Sequence, residues 1–87
     1  MRIRVRRTGG FAGIERQAEV DTSDLPDAGD WHGLAAAVLE EGDDEGRGVP
    51  DGFRYEITVD GRTVRCGDPR LTPAQRSLIT RVLKEGA

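Results

Sequence analysis

Few side chains in this 87-residue chain can do covalent or metal chemistry, and their spacing limits what that chemistry could be. There is one histidine, His32, one cysteine, Cys66, and one tyrosine, Tyr55. A nucleophilic mechanism needs a nucleophile and a base within hydrogen-bond reach, and a zinc site needs several Cys, His or carboxylate ligands. This inventory assembles neither, so no catalytic residue, metal or cofactor is expected, and the sequence argues against an enzyme. His32 follows Trp31 at a helix start and reads as a surface or capping residue; Trp31 itself reads as core. Cys66 falls on the inward side of a strand and reads as a small buried hydrophobe. A single cysteine also rules out an internal disulfide. Asp43-Asp44-Glu45 lacks the ligand spacing of a calcium loop and reads as solvated. Two patterns remain. Arg2, Arg4 and Arg6 alternate along one strand face and could track phosphates. Thr8-Gly9-Gly10-Phe11-Ala12-Gly13 is a glycine-rich turn or loop, with Phe11 free to fold back as a core plug.

The charge balance bears on both. The net charge of −3 hides an uneven distribution. Residues 1–18 carry five arginines against Glu15, residues 19–51 carry eleven acids against Arg47, and residues 52–87 carry seven bases against four acids. An acidic chain with no aromatic stacking platform is a poor general nucleic-acid binder. Nucleic acid is therefore not expected as a partner, and the arginine strand is the rival reading. No apolar run approaches 18 residues, so no membrane helix is expected. The N-terminal Met1–Arg7 stretch has no apolar segment behind it, so no secretory signal is expected either.

The elements that must position these residues follow from periodicity. Ile3 and Val5 alternate with Arg2, Arg4 and Arg6; Ile14, Ala18 and Val20 alternate with Glu15, Gln17 and Glu19. Two such strands across a glycine-rich link predict a hairpin with arginine facing glutamate on its exposed side. Asp21–Pro26 is turn and cap chemistry. Asp27 or Asp30 can cap a helix whose stripe is Trp31, Leu34, Ala35, Val38 and Leu39, ending near Gly42. Residues 42–52 form an acidic, glycine-rich segment expected to be a flexible loop. Phe53, Tyr55, Ile57 and Val59 give the clearest strand, Asp60-Gly61 a tight turn, and Arg62–Cys66 its partner. Thr72-Pro73 opens a closing helix with Leu78, Ile79, Val82 and Leu83 on its apolar side, flanked by Leu71. The sum is a single α+β domain over residues 1–87. Its four-stranded, mainly antiparallel sheet of two hairpins carries two helices on one face, in the order ββαββα.

Arg6-Arg7-Thr8-Gly9-Gly10-Phe11-Ala12-Gly13-Ile14, with Asp21-Thr22-Ser23-Asp24-Leu25-Pro26 after the next strand, resembles the start of the emfourin family. The aromatic strand Asp51–Val59 and the Leu71–Leu83 helix resemble that family's second half. The stretch between the first helix and the third strand is shorter here, which bears on affinity and target range. The resemblance implies a cytoplasmic inhibitor, monomeric when free, that occludes the cleft of a thermolysin-like (protealysin-like) zinc metalloprotease. Such proteases resemble one another in cutting before a bulky apolar residue. The resemblance therefore gives Gly9, Gly10, Phe11, Ala12 and Gly13 the role of a cleft-entering loop, with Phe11 as its apolar anchor. The anchor and the core plug stand as open alternatives.

Overall fold

A computed structural model of the chain describes residues 1–9, 15–42, 53–67 and 71–86. Alternating apolar residues produce four strands: β1 (Arg2–Gly9), β2 (Arg16–Asp21), β3 (Phe53–Val59) and β4 (Arg62–Gly67). They form one antiparallel sheet in the order β2-β1-β3-β4, so β1 and β3 are central. Register places Ile3 between Val20 and Val59, and Val5 between Ala18 and Ile57. A slip of one residue would turn Arg2, Arg4 and Arg6 into the core, which fixes the register.

Two helices cover the apolar face: α1 (Ala28–Glu41) and α2 (Pro73–Glu85). The α1 residues Trp31, Ala35 and Val38 and the α2 residues Leu78, Ile79 and Val82 close the core over Ile3, Val5, Tyr55, Ile57, Val64 and Cys66. Each large apolar side chain so buried contributes about 1.5–3 kcal/mol. The expected fold is therefore observed, element by element and in the expected order.

The caps explain where the elements stop. Gly42 ends α1 at φ 71°, its N–H donating to the Val38 carbonyl. Asp60 and Gly61 both take positive φ (47° and 87°), the two-residue turn that matches strand twist. Thr72 and Gln75 exchange hydrogen bonds in a capping box at the start of α2. The Thr72 hydroxyl also donates to Glu41 Oε1 at 2.8 Å, tying the start of α2 to the end of α1. A 3-10 turn, Thr22–Asp24, joins β2 to α1, with the Asp21 carboxylate accepting from Ser23.

Asp27 departs from the expected chemistry. It stands at the N-cap of α1, but its side chain makes no cap hydrogen bond. Its Oδ1 accepts from the Trp31 indole at 3.2 Å, and its Oδ2 from Arg81 of α2 at 2.6 Å. Side-chain partners, one in α1 itself and one in α2, take this carboxylate in place of the local amides.

Candidate functional site

The glycine-rich loop leaves the sheet at Gly9 and returns at Glu15. Its root is built by unequal strand lengths. The β1–β2 ladder ends at Arg7↔Arg16, while β1 continues along β3 through Thr8↔Arg54 to Gly9↔Phe53. Central strand β1 is thus held by β3 for two further positions after β2 has let go. Gly9 is exposed and adopts φ 91°, a conformation open to glycine and costly for other residues. Of the expected loop residues, Gly10, Phe11, Ala12 and Gly13 lie outside the described residues, as do Ile14 and residues 43–52 of the acidic segment.

On the open face, the returning chain is clamped to the outgoing one. Arg6 Nε donates to Glu15 Oε1 at 2.8 Å, and a second Arg6 nitrogen to Glu15 Oε2 at 3.1 Å. This forked pairing raises the Arg6 pKa above its usual value, first through the hydrogen bond and then through the charge of Glu15. On the helix-covered face, the Arg7 guanidinium lies 4.4 Å from the centre of the Phe53 ring, and Phe53 sits 6.4 Å from Tyr55. Among the described residues, the buried Arg7 Nε has no hydrogen-bond acceptor. Arg16 reaches away from the loop to donate to the Leu83 carbonyl at 2.9 Å, closing the end of α2 onto β2.

The other candidate residues scatter. His32 is exposed on α1, its Nε2 3.1 Å from the Thr22 hydroxyl, which also bonds the Met1 carbonyl. Cys66 is buried in β4, and Trp31 is fully buried in the core. Among the described residues, no three His, Cys, Asp or Glu side chains are grouped to hold a metal. No helix there is long and apolar enough to cross a membrane.

Arg2, Arg4 and Arg6 do share the open face, as expected. They are paired rather than free: Arg2 and Arg4 lie 3.6 and 3.7 Å from Glu19, and Arg6 also lies 3.8 Å from Glu56. Exposed pairs of this kind are each worth at most about 1 kcal/mol, but they cancel the charge a phosphate backbone would need.

Sequence reasoning missed the pairing of Arg7 with Phe53. The signal was parity: Arg7 continues the inward series Ile3, Val5, and an inward arginine must find a partner. The one hydroxyl–histidine contact among the described residues, Thr22 with His32, joins α1 to the turn before it. What the geometry offers is a loop root fixed on both sides, suited to presenting a segment to another macromolecule.

No curated protein and no solved structure was found to match the chain. The Emfourin family model matches residues 5–83, spanning β1 to α2. The chain belongs to the Emfourin family, a family of protease inhibitors.

Proposed function

We propose that this protein inhibits a thermolysin-like zinc metalloprotease by tight, reversible occupation of the active-site cleft, acting as a monomer in the cytoplasm. The family match over residues 5–83 carries the reading. The loop Gly9–Gly13 enters the cleft, and Phe11 fills the apolar pocket beside the zinc. The root geometry supports this role. The pairing of β1 with β3 as far as Gly9 and the Arg6–Glu15 clamp order both loop ends before binding, which lowers the entropy lost on association. Glycine lets backbone approach the walls of a narrow cleft.

Titrating the purified protein into a thermolysin-like protease, with cleavage of a small peptide followed, tests the activity. Inhibition that saturates near one equivalent is expected, and full activity at a large excess would refute the target class. Phe11→Ala then tests the anchor. Loss of about 2 kcal/mol or more of binding, roughly 30-fold, is expected from an aromatic hot spot, with thermal stability retained. Retained inhibition with lost stability would instead make Phe11 a core plug.

A further inference from the structure

Among the described residues of the loop root, Arg6, Arg7 and Arg54 stand against Glu15 and Glu56, a surplus of positive charge opposite in sign to that of the whole chain. Thr8↔Arg54 places Arg54 on the open face one position before Gly9↔Phe53, while Arg7 occupies the other face and stacks on Phe53. Arg54 is exposed, and among the described residues neither arginine has a carboxylate partner. The neighbouring Glu15 and Glu56 are both engaged by Arg6. Among the described residues, two cations without an ion-pair partner therefore bracket the point at which the loop leaves the sheet.

Resting on the inhibitory reading above, we propose that Arg7 and Arg54 form a cationic collar that selects proteases whose cleft carries an acidic rim and steers the loop toward it. Rim charges of this kind act mainly on the association rate, and their effect fades as salt shortens the Debye length. The chain's own net charge of −3 makes the sign of the salt effect diagnostic. If net charge governed the encounter with an acidic partner, repulsion would be screened and association would accelerate with salt. A collar in command predicts the reverse.

The test measures association rate and inhibition constant against one acidic-rimmed thermolysin-like protease at about 100 mM and 500 mM salt. Wild-type association is expected to slow as salt rises. Arg54→Glu should associate about tenfold more slowly at low salt and within about twofold of wild type at high salt, and Arg54→Lys should restore the rate. Arg62→Glu makes the same charge change at the far end of the sheet. It stands about 20 Å from Phe53 along the strands, beyond the Debye length of about 10 Å at 0.1 M salt, and should change little. Equal rates for Arg54→Glu and wild type at low salt, or equal losses from Arg54→Glu and Arg62→Glu, would overturn the collar. If Phe11→Ala abolishes inhibition while Arg54→Glu does not alter it, the collar fails and the inhibitory reading stands. If wild type inhibits no such protease, both fall.

Discussion

Removing the Asp27 carboxylate should destabilise the domain without weakening inhibition. One oxygen of Asp27 accepts the Trp31 indole N–H, the other accepts Arg81, and the Arg81 guanidinium lies 4.5 Å from the centre of the Trp31 ring. This triangle joins the start of α1 to the last turns of α2. In Asp27→Ala the part-buried indole N–H loses its acceptor, at about 1 kcal/mol. The ion pair is lost as well. Its side chains are 31% and 37% exposed, so solvent screening holds its worth to about 0.5–1 kcal/mol despite the 2.6 Å distance. Since the side chain makes no cap hydrogen bond, no cap loss is added. A total near 2 kcal/mol predicts a melting temperature lower by about 8–16 °C for a domain of this size, and a urea midpoint lower by about 2 M. Trp31 is the sole tryptophan, so its fluorescence reports the transition directly. A double-mutant cycle with Arg81→Ala should return a coupling of about 1 kcal/mol. A change below about 0.5 kcal/mol in Asp27→Ala, or a coupling near zero, would refute the accounting. The side-chain partners of Asp27, Trp31 and Arg81, take no part in the loop root described above, so the inhibition constant at 25 °C should match that of wild type. A parallel loss of inhibition by the folded variant would mean that the two ends are not independent.

Two glycines should respond in opposite directions. Gly33 lies exposed in α1 with nothing within 4 Å of an added methyl, so Gly33→Ala should raise stability by about 0.4–1 kcal/mol in urea titrations. At Gly86 a methyl would meet the carbonyls of Val82 and Glu19 at 2.6 and 2.9 Å, so Gly86→Ala should cost about 1–3 kcal/mol by the same measurement. Acid should weaken the turn after β2. The hydroxyl and amide of Ser23 hold Asp21 below the usual carboxylate value of 3.8, with smaller help from the N-terminus and Arg2. A depressed folded pKa stabilises above the unfolded value and is lost as pH falls through the folded one. Ser23→Ala, which removes the hydroxyl bond, should therefore flatten the decline in urea midpoint below about pH 4.

Strands and helices were legible because their apolar residues follow periods of 2 and 3.6 without conflict, and because Gly42, Asp60-Gly61 and Thr72-Pro73 mark element boundaries. The Arg–Glu facing of the first hairpin was legible for the same reason: parity puts both on the open face. The pairing of β1 with β3 is a different kind of information. It joins residues far apart in sequence, and no local period records it. The role of Asp27 was hidden similarly. A carboxylate at an N-cap ordinarily bonds its own helix, and only the approach of α2 redirects Asp27 to Arg81. Gln75, polar yet 1% exposed, is buried because its side chain is spent on Thr72, a use that the Thr-x-x-Gln spacing does signal. At the loop, sequence supplied the glycines and Phe11, while the structure supplied what holds their root.

For the inhibitory role proposed above, that root gives a physical reason for placing the loop after β1 rather than after an edge strand. A loop hung from an edge strand is anchored on one side, and edge positions are the first to open in local fluctuations. β1 is paired on both flanks until Arg7, and then by β3 alone to Gly9. The outgoing chain thus stays ordered two residues beyond the point where its hairpin partner has parted from it. The returning chain has no such ladder at Glu15 and is held instead by the forked Arg6 contact. The two anchors differ in kind: one is backbone pairing that salt does not screen, the other an exposed ion pair that salt weakens. Ordering of the loop should therefore be asymmetric, firm at Gly9 and conditional at Glu15. Under the inhibitory reading proposed above, an entry point fixed at Gly9 and a yielding return at Glu15 would let one end of the loop adjust as it meets a cleft wall.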